Sequence, residues 1–584
     1  MNYLLITSIA FILFSYSNFI NLIFKIKLNE TFLITICSII TLSYFLLKLD
    51  VYLNLFILDY LFLILLLSGF FLLPIIIKNN SKINKKLNLE FLFIFLFIFI
   101  LSKERYYLDQ DEFSYWGVAL KNFSLKTSDL EFLHHPDGLN LFRNLFNFFE
   151  YKEGNIIFSN NIILISSFYY LFYDKKLIFL EKIILFSIYY LLLNNLSFGF
   201  LSIYSDPILA VLYSCLLKKS YYMFKDVDSL KEINFLFIFL TLLLINRSAP
   251  IYAIFLIYLC LSLLFLNFYQ KYKYGKGLFI LIIIISTLII YFYLKNFIFK
   301  GNYLLDLSSL FKILFNSNVV TEQLFNFFLT PIYFSNFGVT LNGIFEIIFS
   351  TNFKFFEFQI PIIFYILFLL LFIFFKFKHK KFILISSFLI IITYMIIILI
   401  LKIEFENLHL SAVPRYIGIM ILAKYLFLIS LVTNHNRSIY NNYILLFLLF
   451  SLFIVTPKKT LGFFVPDKIY YSDSTNYNYK KNREKIKLLN DFKNNFDDVI
   501  VVHKEDYSDL TNNSIAGYHT FYFNIIEYEL FPKKTIFLEY EKFLSNQKLI
   551  SSIYANSLVI FFDLTSVDIS KINITDNFFR INTY

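Results

Sequence analysis

Long apolar runs separated by short lysine clusters are the feature that most restricts what this chain can fold into. The runs fall at 3–24, 31–48, 55–77, 88–102, 155–173, 177–197, 204–217, 233–246, 249–267, 278–295, 357–375, 382–401, 416–433 and 440–456. Most approach the roughly 20 residues needed to cross about 30 Å of hydrocarbon. The expected fold class is an α-helical polytopic membrane protein of about 14 transmembrane helices. Composition agrees, since 58% of the residues are hydrophobic against roughly half in a soluble domain. The stretch 233–267 is too long for one untilted helix, and Asn246-Arg247-Ser248 at its middle reads as a tight hairpin.

A formal charge of +11 would suit a nucleic-acid partner if the cations were gathered on one polar domain. They are not. They sit in short clusters between apolar runs, such as KNNSKINKK (78–86) and KFKHKK (376–381), as cytoplasmic loops do. The charge is topological, and no nucleic-acid partner is expected. Placing Lys25, Lys27, 78–86, Lys175, Lys176, Lys218, Lys219, Lys271 to Lys276, 376–381 and Arg437 on one face puts the loops 103–154, 296–356 and 402–415, and the tail from 457, on the other. The alternation closes without a forced span.

Cys37, Cys215 and Cys260 all lie within apolar runs, so neither a disulfide framework nor a thiolate metal site is expected. The first run has no basic leader or small-residue cleavage site and is followed at once by further spans, unlike a signal peptide.

Three regions follow. Residues 1–87 form an N-terminal block of additional transmembrane helices. Residues 88–456 form the main transmembrane core, with outer loops 103–154 and 296–356. In the second loop, LLDLSSLFKILF and NGIFEIIF read as helices lying on the membrane surface. Residues 457–584 read as a small α/β domain, because DDVIVVH (497–503), KTIFLEY (534–540) and NSLVIFFD (556–563) are strand-like runs between polar segments.

The first outer loop holds the densest chemistry. RYYLDQDEFSYWGVALKNF (105–123) follows the run ending near 102 and places Asp109, Asp111 and Glu112 within four positions. By itself that cluster fits a solvated outer face, and the loop's nine Asp/Glu against six Lys/Arg fit one too. Its position at a span end points elsewhere. Carboxylates held against a low-dielectric surface change their proton affinity and serve as bases or metal ligands, and such a placement is costly without a use. Phe113, Trp116, Val118, Leu120 and Phe123 suit an interfacial helix, with Trp116, the single tryptophan, as its anchor.

Other polar residues fall on the same expected face. His134 and His135 open the turn HHPDG, whose polarity the turn alone could explain. Asp206, before Pro207, suits a helix N-cap. Arg247 sits at the hairpin tip, and Arg415 opens the last core span but one, where an arginine commonly snorkels. A cation facing an acidic cluster across a membrane surface also suits a phosphate-bearing lipid.

In order along the chain, DEFSYWGVALKN, HHPDGLNLF, YSDPILAVLYS and SAVPRYIGIM resemble successive landmarks of bacterial GT-C-class integral membrane glycosyltransferases. These enzymes are related to the protein O-mannosyltransferase family and depend on polyprenyl-phosphate sugars. The resemblance spans about residues 88–584, including YHTFYFNIIEYELFPKKTI of the tail. It implies a GT-C-like core, Asp111 and Glu112 as the catalytic pair, and Arg415 with Tyr416 at the donor phosphate. It implies multi-pass placement in the bacterial inner (cytoplasmic) membrane, with the active site and the α/β domain extracytoplasmic. A Tyr-Pro-Pro-Gly-like turn of related sequences is replaced here by His134-His135-Pro136-Asp137-Gly138.

The chemistry of such a donor fits these residues. Transfer needs a base at the acceptor and cations at the departing lipid phosphate. Asp111 would be the base, with inversion at the anomeric centre. Glu112 or Asp109 would orient the acceptor or hold a divalent ion, for which hard oxygen donors select Mg2+ or Mn2+. Asp206, His134 and His135 are supporting candidates, and Arg415, Tyr416 and Arg247 are candidates for the phosphate. The expected partners are a polyprenyl-phosphate sugar, membrane lipid and a glycan, lipid or protein acceptor, a cell-envelope glycan by default. Two rival readings leave different marks on a sequence. An O-antigen polymerase or ligase acting on diphosphate-linked glycans would place its key loop late in the chain. A lipid-linked glycan transporter would favour helices broken by Gly and Pro, and this chain has only 13 Gly and 10 Pro.

Overall fold

The computed structural model describes residues 2–53, 57–79, 84–107, 117–118, 120–121, 138–173, 179–194, 200, 202–225, 233–245, 333–334, 337–338, 352–355, 358–361, 413–435, 486, 496–503, 525–530, 533–546, 557–562 and 578–581. The chain divides into two compact units. The first comprises 1–103 and 134–459; the second comprises 104–133 and 460–584.

The first unit is helical. Its elements are α1 (Asn2–Phe24), α2 (Leu28–Leu53), a 3-10 turn (Leu58–Tyr60) leading into α3 (Leu61–Lys78), α4 (Lys85–Ser102), α5 (Gly138–Asn144), α6 (Glu153–Phe172), α7 (Phe179–Asn194), α8 (Asp206–Lys225), α9 (Ile233–Ile245) and α10 (Val413–His435). Among the described residues, four helices are long and apolar enough to cross a membrane: Tyr3–Phe24, Leu28–Leu47, Leu58–Lys78 and Glu153–Phe172. Burial on α3 supports that reading. Only Leu61, Phe62, Leu65 and Gly69 of α3 are buried, a stripe with helical spacing, while Phe71 is 79% and Ile77 68% exposed. An apolar surface of that kind belongs against lipid.

The expected spans at 249–267, 278–295, 382–401 and 440–456, and the surface helices of 296–356, lie outside the described residues. One expected span needs correcting at its start. The reading from 357 as helix meets β4 (Phe358–Pro361), paired antiparallel with β3 (Asn352–Phe355). The alternation of NFKF and FQIP has the two-residue period of a strand, so the apolar character of 358–361 belongs to a hairpin. A second short hairpin pairs β1 (Tyr333–Phe334) with β2 (Phe337–Gly338).

Helix α6 is the hub, with all of its residues buried. On one side Phe95 and Phe99 of α4 meet Phe158, at ring-centroid distances of 5.0 and 5.2 Å. Phe32 of α2 stacks on Phe91 of α4 at 3.9 Å. The polar residues of α6 serve packing as they do within membranes, where close approach replaces hydrophobic drive: Asn161 donates to Ser102 Oγ at 3.0 Å.

The helix ends sort into two groups. At one end, Lys218 donates to the carbonyls of Tyr170 (2.9 Å) and Leu171, and Asn29 to that of Tyr169 at 3.1 Å. Those bonds satisfy the last carbonyls of α6. Lys182 pairs with Glu90 at 2.8 Å and Asn234 donates to Glu30 at 2.8 Å, so this is the lysine-rich end. At the other end, Asp50 accepts from the backbone N–H groups of Ile57 and Leu58 at 2.8 and 2.7 Å, capping the entry to α3. There too the first turn of α6 is jammed against the last of α4. A Cβ on Gly154 would lie 2.5 Å from both the Ser102 and Lys103 carbonyl oxygens, so no other residue fits without moving backbone.

The second unit is built on a parallel sheet in the order β6 (Lys534–Glu539), β5 (Asp498–His503), β7 (Ser557–Phe562), β8 (Phe578–Ile581). The run DVIVVH is β-branched and nearly continuously apolar, as a strand covered on both faces requires. Ile500, Val502, Val559 and Phe561 pack with Phe543 of α11 (Tyr540–Ser545) into a core. The three strands expected from the sequence are present within a residue of their expected ends. Strand β8 adds a fourth that the sequence reading did not anticipate.

Candidate active site

The acidic cluster lies between two described anchors. Tyr107, fully buried, precedes it, and its ring lies 5.7 Å from that of Tyr528. Lys121 follows it. Its ammonium donates to the Tyr528 carbonyl, sits 3.7 Å from the centre of the Tyr528 ring and lies 3.7 Å from Glu529 Oε2. Tyr528 and Glu529 belong to a helical segment over 525–530, between β5 and β6, whose Ile525, Ile526, Tyr528 and Leu530 are fully buried. Both flanks of the carboxylate run therefore meet at one residue of the tail. A face-on cation and a carbonyl acceptor are each worth more when desolvated, and the Lys121 side chain is only 12% exposed. Glu527, the exposed residue of the same segment, has its carboxyl raised from the ordinary value by partial desolvation against its buried neighbours.

Asp109, Asp111, Glu112 and Trp116 themselves, with His134, His135 and Arg247, lie outside the described residues. Among the described residues no group of three or more His, Cys, Asp or Glu gathers to hold a metal, and the carboxylates considered for that role are not among them.

Arg415 and Tyr416 fall in the first turn of α10, behind Val413 and Pro414. A cation there runs against the helix macrodipole, so local helix stability does not account for Arg415. Asp206 is buried and is the first residue of α8 rather than its cap. The carbonyl of Ser205 accepts the first bond, from Leu209 N–H at 2.8 Å, which shifts the capping position one residue earlier than expected. In the first turn, the carboxylate still complements the dipole.

Sequence reasoning missed Arg143. It lies on α5, shortly after the HHPD run in the chain, and is fully buried. Its guanidinium donates to Asn160 Oδ1 at 3.0 Å, to Asn140 Oδ1 at 2.8 Å and to the Ile203 carbonyl. Asn160 donates in turn to the Ser202 carbonyl at 3.2 Å. This network fixes the 202–205 turn and with it the entry of Asp206 into α8. A single arginine in GLNLFRNLF, otherwise an apolar and amide stretch, was the available signal. Nearby in the chain, Asn147 and Asn155 are buried, and among the described residues their side-chain amide atoms meet no hydrogen-bond partner. Buried amides in that condition are met by water or a polar ligand.

No protein-family model, curated protein or solved structure matches this chain.

Proposed function

We propose that the protein is a membrane glycosyltransferase that moves a sugar from a polyprenyl-phosphate donor to an acceptor on the outer face of the membrane, with inversion. The reading carries with it about 14 spans, a GT-C-like core and an extracytoplasmic C-terminal domain. Asp111 takes the proton of the acceptor hydroxyl. The resulting oxygen attacks the anomeric carbon in line as the bond to the lipid phosphate oxygen breaks, and the leaving group departs as polyprenyl phosphate. Arg415 and Arg247 hold that phosphate and offset its developing charge. Tyr416 lines the same place, Glu112 and Asp109 orient the acceptor, and Trp116 anchors the segment at the interface. Where a divalent ion takes part, Glu112 or Asp109 would supply the hard oxygens, and the ion would neutralise phosphate charge.

One observation carries most of the support: the carboxylate run follows soon after α4 in the chain and is flanked by two anchored residues, the buried Tyr107 and the part-buried Lys121. A merely solvated connector has no need of such anchoring. Anchors on both sides of the run in the chain support a reading in which its carboxylates have a task, and that task in this proposal is the reaction of a sugar carried on a lipid tail.

The test compares wild type with Asp111→Asn, matched for abundance, on a panel of labelled polyprenyl-phosphate sugars with envelope extract. Release of sugar by wild type that collapses in the variant is the expected result. Equal release by both removes Asp111 as the base. No turnover of any monophosphate donor by folded protein turns the reading towards diphosphate-linked glycans or transport.

A further inference from the structure

We infer that the 525–530 segment of the tail is the seat of the acidic loop, and that Lys121 is a positioning residue for the reaction proposed above, on which this inference rests. Residues 104–133 group with 460–584 and not with the helices that precede and follow them in the chain. Within that unit, three separate interactions converge on two adjacent residues. They are the Tyr107 ring on the Tyr528 ring, the Lys121 ammonium on the Tyr528 ring and carbonyl, and the same ammonium beside the Glu529 carboxylate. Tyr107, Leu120 and Tyr528 are fully buried and Glu529 nearly so.

The physical consequence concerns the segment between the anchors. Holding both ends at one residue limits how far any group between the anchors can stray, at a loop-closure cost that grows only slowly with length. A general base works only within hydrogen-bond reach of its proton, and misplacing a reacting group by about 1 Å costs on the order of 100-fold in rate. Lys121 need not touch donor or acceptor to matter. Its charge holds the C-terminal side of the segment while the Tyr107 ring holds the N-terminal side. The tail is thereby an integral part of the site. Lys121→Met removes the donor to the Tyr528 carbonyl and the cation beside Glu529 while keeping much of the stem. Lys121→Arg keeps the charge and the donors.

Wild type, Lys121→Met and Lys121→Arg are compared as full-length protein in detergent by two readouts. The first is amide hydrogen exchange at 117–121 and 525–530. The second is kcat and KM for sugar release from a labelled polyprenyl-phosphate sugar. The expected result is joint loosening of the two segments in Lys121→Met, with kcat down on the order of 100-fold and donor KM unchanged, and recovery of both readouts in Lys121→Arg. Exchange that loosens in neither segment, or loosens in one alone, overturns the seat. Loosened exchange with unchanged kcat overturns the positioning role. If wild type turns over no such donor, the enzymatic reading fails and the positioning role falls with it, while the exchange result still decides the seat.

Discussion

Replacing Gly154 with alanine should be among the most damaging single-methyl changes in the helical unit. Its Cβ would sit 2.5 Å from two backbone carbonyl oxygens, those of Ser102 and Lys103, and 2.7 Å from the Lys103 carbonyl carbon. Ordinary carbon–oxygen contact begins near 3.3 Å, so the end of α4 must part from α6 by close to 1 Å. Neither side can yield by a rotamer change, because the obstructing atoms are backbone. Overpacking of this kind costs about 1–3 kcal/mol and sometimes more. Against that stands the intrinsic helix preference for Ala over Gly of about 1 kcal/mol. The balance is a net loss of up to about 2 kcal/mol. Gly69 supplies the control. Its nearest obstruction is the Phe11 ring edge at 3.0 Å, a side chain that can shift, so Gly69→Ala should come out close to neutral. Gly138 is intermediate, with Tyr44 Cε2 at 2.8 Å and Ile40 Cγ2 at 2.9 Å. The protein carries its own reporters, since Cys37 and Cys215 are buried and free. Heating in detergent with a thiol-reactive fluorophore gives an apparent midpoint for each variant. The expected order of loss is Gly154→Ala, then Gly138→Ala, then Gly69→Ala. A Gly154→Ala protein as stable as wild type, beside a damaged Gly69→Ala, would refute the packing argument.

Two other outcomes follow from the same structure. Arg143→Leu withdraws donors from Asn140, Asn160 and the Ile203 carbonyl at once; at about 1–3 kcal/mol for each buried group left short of a partner, it should lower the apparent midpoint at least as far as Gly154→Ala, and a variant within error of wild type would contradict the network's role. Glu527 has a folded-state affinity for its proton raised by burial, so the folded form binds more protons than the unfolded one between the ordinary carboxylate range and the raised value. Its contribution to stability is therefore largest at acid pH and is lost as pH rises through that window. Exchange at 525–530, corrected for intrinsic rate, should accelerate modestly as pH rises above the ordinary carboxylate range, and Glu527→Gln should flatten the change.

Much of this protein was readable without coordinates, and the particular residues show why. The first four runs reappear as α1, α2, α3 and α4 with ends shifted by a few residues, because a run of apolar side chains long enough to cross a bilayer has few alternatives to helix. The strands at 498–503, 534–539 and 557–562 were legible because β-branched runs bounded by polar residues carry their own period. Errors arose where neighbouring signals were equally local. The choice between Ser205 and Asp206 at the start of α8 was one, and the boundary between a hairpin and an apolar run at 358–361 was another. The short strand FFRI offered too few positions for any period to register.

What the sequence determined by itself was the membrane class, the helix-forming runs, the lysine-rich end and the strand character of the tail, all properties of residues close together in the chain. Tertiary structure alone decided that Tyr107 and Lys121 meet Tyr528, that the tail strands order as β6-β5-β7-β8, and that Arg143 lies buried among amides. Those are pairings between distant residues, chosen by which surfaces can be buried together, and no local period encodes them.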